Sequence, residues 1–291
     1  MHYTADVKLD RFLNLACVNA LMSDQEPNEG VASLFFELAG DLRLLMLTKM
    51  SQKNYRLSLL AAELNATMQE AHRNMTRLIE SGLVTKGRDG ELMLTVYGRT
   101  VVMLISGYDF LYRNRDFFLD HTVGDLPTKF IQRMGTFQDC EMVHGVMAIL
   151  QRWKNLYNES EQYIKEIMAQ VPLDLIETVS NRVKNGVRFS YIFAANAVVP
   201  KGRTQLLEKV GWRNFINNGL VERRMMPEVK VMTIFNEKQG CVLFPNMKGE
   251  PDLNIMFYGE NREFLDWCSD LFAYKWEKAG SFDETKLKHE I

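Results

Sequence analysis

The stretch SLLAAELNATMQEAHRNMTRLIESGLVTKGRDGELMLTVYG, residues 58–98, decides the fold. Ser58 is placed to cap a short helix over 59–64, and Asn65-Ala66 supplies a tight turn. Thr67-Met68-Gln69-Glu70 is a capping box, in which a hydroxyl and a carboxylate three residues apart satisfy each other's backbone N–H groups. It opens a helix predicted to run to Ser81, and Gly82 stops it. Leu83 to Lys86 and Glu91 to Thr95 read as two short strands around the turn Gly87-Arg88-Asp89-Gly90. Upstream, Ser33 is placed to cap a helix through Ala39, and Gly40 ends it. Asp41 then caps a second helix over 42–50. Helix, short helix, tight turn, longer helix and hairpin, in that order, give the layout of a winged helix-turn-helix.

The helix from Thr67 has two unlike faces. At about 100° per residue, Met68, Ala71, Met75, Leu78 and Ile79 gather on the side expected to pack on the preceding helices. Gln69, Arg73, Thr76 and Arg77 gather opposite, with His72 at the border. A helix that enters the major groove needs this division, with an anchored apolar face and a face of long hydrogen-bonding groups. Gln69 and Arg73, near the helix start, suit adenine and guanine edges, and Arg77 a turn further on suits a phosphate. Lys86 and Arg88 on the hairpin are placed to reach the backbone or minor groove. The candidate DNA-binding set is therefore Ser58, Thr67, Gln69, His72, Arg73, Thr76, Arg77, Lys86 and Arg88. The competing reading makes Arg73 and Arg77 solvated partners of Glu70 and Glu80 along an ordinary surface helix.

Working outward, residues 6–22 carry a helix-like stripe of Leu9, Phe12, Leu13, Ala16, Leu21 and Met22, followed by a polar linker over 23–30. After the hairpin, Thr95 caps an apolar helix expected over 96–115, a connector that either contacts a second copy or packs on its own C-terminal domain. Helical patterns follow over 126–134, 145–157, 174–184, 204–210 and 261–278. They alternate with strand patterns over 163–169, 187–193, 221–225, 229–235, 240–244 and 253–258. That alternation suggests an α/β domain. The expected organisation is an N-terminal helix and linker (1–30), a winged helix-turn-helix (31–98), a connector (99–125), an α/β effector or dimerisation domain (126–280) and a tail (281–291).

Bulk properties set bounds but do not point to DNA. The 291 residues suffice for two domains, and a formal net charge of -2 gives no global signal for nucleic acid. The charge is uneven: residues 41–100 hold nine Lys/Arg against six acids, while residues 250–291 hold five against ten. The four cysteines, Cys17, Cys140, Cys241 and Cys268, lie far apart, which argues against a zinc ribbon, a thioredoxin motif or a disulfide framework. No leader pattern and no apolar run near twenty residues is present, so a soluble cytoplasmic protein with no membrane role is expected.

Three stretches resemble archaeal regulators of the ArsR-like winged-helix class: residues 34–44 (LFFELAGDLRL), 72–84 (HRNMTRLIESGLV) and 89–98 (DGELMLTVYG). The resemblance implies that the helix over 67–81 enters the major groove and that the protein works as a homodimer. The metal-binding Cys-x-Cys of arsenic sensors is missing, so metal sensing is not implied. The second half is similar to the effector domain of an archaeal methanogenesis-regulator family related to phospholipase-D-like domains. The likeness lies in Phe117-Phe118-Leu119-Asp120-His121, Asp125-Leu126-Pro127, residues 171–193 and residues 261–276 (NREFLDWCSDLFAYKW).

Phospholipase-type chemistry needs His-x-Lys, with histidine as nucleophile and lysine holding phosphate. His72, His121 and His144 are followed by Arg-Asn, Thr-Val and Gly-Val, so an enzyme is not expected. Dinucleotide, P-loop, nucleophile-elbow and zinc-protease motifs are absent too, and neither a cofactor nor a metal is expected. His144, near Cys140 and Glu141, reads as a buried strand-end histidine more readily than as a ligand. A catalytically empty domain of this kind would bind a small effector at its strand ends or would dimerise the readers. Hence the expected function is a homodimeric, sequence-specific regulator that binds double-stranded DNA. The alternative is a winged helix that docks another protein, and a hydrolase with an unrecognised site is the remote third.

Overall fold

The protein is seen here as a computed structural model describing residues 29–170 and 172–289; the helix expected over 6–22 and Cys17 lie outside them. The chain divides into two units, with the break between Met103 and Leu104.

The first unit contains α1 (Glu29–Leu38), α2 (Asp41–Met50), α3 (Leu57–Glu63), α4 (Met68–Glu80), β1 (Val84–Lys86), β2 (Leu92–Leu94) and the first turns of α5 (Val96–Arg113). Its core is Met46, Leu47, Leu60, Ala71, Met75, Leu78, Leu83 and Leu92 with their neighbours, so α2, α3, α4 and the hairpin enclose one apolar centre. β1 and β2 pair antiparallel, with Val84 opposite Leu94 and Lys86 opposite Leu92. Tyr55 adds a one-residue third strand: its N–H donates to the Leu92 carbonyl at 3.1 Å, and the Leu92 N–H donates back at 2.7 Å. Gly98 lets α5 begin against this hairpin, because a Cβ there would lie 1.9 Å from the Leu83 carbonyl oxygen. Thr95 caps α5 as expected, its hydroxyl oxygen accepting from the Gly98 N–H at 2.9 Å.

Three helix starts differ from expectation. α1 begins at Glu29, so Ser33 is interior and no cap; Gly30 falls in the first turn, where the N–H groups lack helical partners anyway. In α2, Gly40 occupies the cap position without a side-chain bond, and Asp41 is the first helical residue. A Cβ at Gly40 would lie 2.4 Å from the Arg43 guanidinium carbon, so the position is held open for that side chain. α3 begins at Leu57 with Arg56 at the cap position, so Ser58 is not its cap. The bridge from Tyr55 to Leu92 fixes the chain one residue earlier and sets this start.

The second unit is built on an eight-stranded mixed sheet in the order β11-β7-β5-β4-β8-β9-β10-β3. The strands are β3 (Glu141–His144), β4 (Tyr163–Met168), β5 (Arg188–Ala194), β7 (Val221–Met226), β8 (Met232–Asn236), β9 (Gly240–Leu243), β10 (Ile255–Gly259) and β11 (Gly280–Ser281). β4, β5 and β7 run parallel, while β8, β9, β10 and β3 continue as an antiparallel series. Parallel neighbours require crossovers. Here α9 (Leu173–Lys184) crosses from β4 to β5, and α10 (Arg203–Val210) with α11 (Trp212–Asn217) crosses from β5 to β7. A separate short pair joins β6 (Val198–Val199) to β12 (Lys288–His289). Strand alternation sends Ile164, Glu166 and Met168 toward the face covered by α8 (Val146–Glu159), where Trp153 Nε1 bonds Glu166 at 3.0 Å. It sends Lys165 to the face of the closing helix α12 (Arg262–Lys278), where its ammonium lies 5.4 Å from the Phe272 ring centre. The expected α/β architecture is present around β4, β5 and β7, and the antiparallel strands on either side of them make up the larger part of the sheet.

Elsewhere in this unit α6 (Phe117–Asp120) is a single short turn, and the helix expected over 126–134 resolves into α7 (Thr128–Ile131) and a 3-10 turn at Met134–Phe137. Within that turn Gly135 sits against Ser106, where a Cβ would meet the hydroxyl at 2.2 Å. β3 has no counterpart in the sequence reading. Its residues Glu-Met-Val-His alternate only weakly, and it pairs on one side alone, with β10. No helix among the described residues is long and apolar enough to cross a membrane.

Candidate nucleic-acid interface

α3 and α4 form the helix-turn-helix. Asn65 takes the left-handed backbone (φ 52°) in the turn between them, a conformation that asparagine tolerates better than most side chains. The capping box is present in full: the Glu70 N–H donates to the Thr67 hydroxyl oxygen at 3.2 Å, and the Thr67 N–H donates to Glu70 Oε2 at 3.1 Å. The Thr67 hydroxyl itself donates to the same carboxylate at 2.7 Å. These bonds hold the Glu70 carboxyl below its usual range, so it remains an anion committed to the helix start. At the other end Gly82 turns the chain out with φ +74°.

Ala71, Met75 and Leu78 are buried and anchor α4 in the core of the first unit. Met68 and Ile79, expected on that packed face, are 53% and 40% exposed and sit at its borders. The core reaches only the central strip of the helix. Gln69, His72, Arg73 and Thr76 are all exposed at spacings of three, four and seven from Gln69, so they share one stripe along the helix. The Thr76 hydroxyl donates back to the His72 carbonyl at 3.0 Å. With Glu70 committed to the cap, the Arg73 side chain forms no ion pair or hydrogen bond among the described residues, and it reaches Glu70, its partner in the competing reading, only as a nearby charge. The thirteen residues of α4 span roughly 20 Å at the usual helical rise.

Arg77 behaves differently from its neighbours. Its Nη2 lies 2.6 Å from Glu37 Oε1 and its Nε 3.1 Å from Glu37 Oε2, a two-pronged ion pair that ties α4 to α1. The guanidinium also lies 5.0 Å from the Phe36 ring centre. The sequence reading assigns Arg77 to a phosphate, with Glu80 as its partner in the competing reading, and the group it bonds is Glu37 instead. Sequence spacing along one helix missed Glu37, because the pairing crosses between helices forty positions apart.

The remaining cations of the first unit separate into two sets. Arg43, Lys49 and Lys53 are engaged with Glu37 or Glu63. Arg56, Arg73, Lys86, Arg88 and Arg99 are exposed and form no ion pair among the described residues. Lys86 ends β1, and Arg88 lies in the turn closed by the Gly87 N–H donating to the Glu91 carbonyl at 2.7 Å. Ser58 is exposed in the first turn of α3. Arg56, at the cap of α3, was not singled out from sequence, where it sits in a polar loop with no periodicity to mark it.

Among the described residues of the second unit, the histidines do not assemble a phospholipase-like centre. His121 is buried, stacked on Phe117 with ring centres 4.0 Å apart, and its Nε2 lies 3.0 Å from Asp252 Oδ2. His144 ends β3 but is exposed, not buried as expected, because the strand lies at the sheet edge. Among the described residues, no group of three or more His, Cys, Asp and Glu side chains could hold a metal ion. Burial pushes the Cys140 and Cys241 thiols up and the Cys268 thiol up to about 12, so none is poised as a thiolate.

No protein-family model matches the chain, and no curated protein matches it. Among solved structures it is similar to TrmBL2, an archaeal chromatin protein, at 11% identity over 85% of this chain and 95% of that one, with a TM-score of 0.40. It is also similar to the homodimeric winged helix-turn-helix DNA-binding domain of a possible ArsR-family transcriptional regulator from Mycobacterium bovis. That match has 19% identity over 32% of this chain and 95% of that one, with a TM-score of 0.28. A third is Nuc from Salmonella typhimurium, a phospholipase D family member, at 8% identity over 50% of this chain and 99% of that one, with a TM-score of 0.38.

Proposed function

We propose that this chain is a sequence-specific transcriptional regulator that binds double-stranded DNA with α4 in the major groove. One observation carries the reading. Gln69, His72, Arg73 and Thr76 form an exposed polar stripe on a helix whose opposite strip, Ala71, Met75 and Leu78, is buried in a helix-turn-helix core. The major groove, about 12 Å wide, accepts an α-helix. Gln69 and Arg73 read base edges, and Lys86 and Arg88 on the hairpin hold the phosphate backbone. Arg56 joins them as a further backbone contact. Arg77 braces the helix from behind through Glu37.

The protein acts as a homodimer in this reading. Leu104 and Leu111 lie seven residues apart on α5 and are 61% and 38% exposed, with Tyr112 beside Leu111 at 69%. Apolar side chains at that period suit pairing with the same helix of a second copy. The second unit then serves as a sensor or as further dimer surface, and it lacks the His-x-Lys that phospholipase-type chemistry needs.

Selection of duplexes from a random pool by the full-length protein tests the reading. An enriched motif with two-fold symmetry, bound by two chains per duplex in sedimentation, is expected. A pool that stays random after repeated rounds contradicts it.

A further inference from the structure

The face of the sheet beneath α8, α9, α10 and α11 encloses a cavity of about 50 Å³ in the second unit. Its wall is mostly apolar, and Trp153, Tyr157, Tyr191 and Trp212 are among the rings that line it. Two ionisable side chains also line it, Glu166 and Arg203, and both are buried, at 0% and 6% exposure.

The polar atoms of this wall are incompletely matched. Glu166 Oε1 accepts from Trp153 Nε1 at 3.0 Å and from the Tyr157 hydroxyl. Glu166 Oε2, Arg203 Nε and Trp212 Nε1 are all buried without a hydrogen-bond partner. Buried polar groups are ordinarily paired, and each one left alone costs of order 1–3 kcal/mol. Three such atoms on one small cavity, an acceptor on one residue and donors on two others, describe a receptor with two unlike ends. The backbone explains the gathering. Glu166 on β4 stands in parallel register with Tyr191 on β5, and Met168 with Phe193, so a carboxylate interrupts an apolar row near the carboxyl ends of the strands. That end of a parallel sheet is where ligands of such folds bind.

We propose that this cavity is a binding site for a small zwitterion, an amino acid or N-methylated amino acid, with its ammonium end toward Glu166 and its carboxylate toward Arg203 and Trp212. The aromatic wall adds cation–π attraction for the ammonium or its methyl groups. Pro172 and Leu207, half-buried lining residues, are the outer members of the site. Occupancy stands on this geometry alone. A regulatory role for it rests on the reading of the chain as a DNA-binding regulator.

Calorimetric titration of the full-length protein, without DNA, tests occupancy. The probes are glycine, L-alanine and glycine betaine, with acetate and tetramethylammonium chloride as one-ended controls. At least one zwitterion is expected to bind more than ten-fold tighter than either control. Glu166→Gln and Arg203→Met are each expected to weaken it ten-fold or more. Leu207→Phe, which narrows the entrance and leaves the polar atoms intact, is expected to block binding and serves if either polar variant fails to fold. No binding of any zwitterion at 10 mM overturns the site, as does equal binding of the controls or unchanged binding by all three variants. The same titration repeated on the DNA-bound protein separates the two readings. Binding that is unaltered by DNA retains the site and removes its role as an effector.

Discussion

Arg77 and Glu37 are joined by two hydrogen bonds, and Glu37 at the same time holds the buried Arg43, whose Nε lies 3.1 Å from Glu37 Oε2. Arg43 also donates to the Phe36 and Glu37 carbonyls and to Asn74 Oδ1. One carboxylate at the end of α1 therefore fixes both α2 and α4. Removing it leaves a buried guanidinium without its counter-charge, a loss of about 3 kcal/mol. Glu37→Ala is expected to lower the urea midpoint strongly, and Arg77→Ala to lower it less, because Arg43 still satisfies Glu37. Arg77→Ala should leave base preference unchanged. If it instead shifts the preferred operator sequence and leaves stability unaltered, the brace assigned here is wrong.

The hairpin cations do a different job in the proposed complex. Lys86 and Arg88 are exposed and form no ion pair among the described residues. Phosphate contacts release counterions, so each one removed reduces the slope of log affinity against log salt by about 1. Lys86→Ala and Arg88→Ala are each expected to weaken binding equally on cognate and unrelated duplexes, with that reduction in slope. Salt titration by fluorescence anisotropy reads both effects, and a variant that loses affinity only on the cognate duplex contradicts the assignment.

Glu166 makes the second unit sensitive to pH. Burial pushes its carboxyl up from an ordinary value of 4.5 to about 7, against the pull of the Tyr157 and Trp153 hydrogen bonds. Between these values the folded chain holds a proton that the unfolded chain has released, so stability falls as pH rises through the window. The loss from pH 4.5 to above 7 is on the order of 3 kcal/mol. Urea unfolding of the second unit at pH 5, 6, 7 and 8 measures it. The Glu166→Gln variant, which cannot ionise there, is expected to remove this part of the pH dependence, and an unchanged slope counts against it.

Much of this was legible in the chain because local chemistry fixed it. The Thr67–Glu70 box, the Gly82 stop and the Thr95 cap each rest on neighbours within a few residues, and each appears where the spacing placed it. The same logic gathered Gln69, Arg73 and Thr76 on one face, but it set Arg77 with them and His72 only at the border. What escaped were contacts between distant segments. Glu37 takes Arg77 across two helices, the Tyr55 bridge moves the start of α3 away from Ser58, and the sheet edge exposes His144. The charged residue inside Tyr163–Met168 had a readable signal, since alternation sets Glu166 on the same side as Ile164 and Met168. Its neighbours in space come from elsewhere in the chain, Tyr191 from β5 and Trp212 from α11, and sequence spacing could not join them.

Binding of the Gln69→Ala/Arg73→Ala double variant to the selected duplex tests the central claim most directly. Both side chains are exposed and unbonded among the described residues, so the variant is expected to fold and to dimerise as the parent does. A base-edge contact contributes about 1–3 kcal/mol of discrimination. Affinity for the selected duplex is therefore expected to fall about 10-fold or more, to the level of unrelated DNA, while affinity for unrelated DNA changes far less. Retention of full preference for the selected duplex by this variant would contradict the placement of α4 in the major groove.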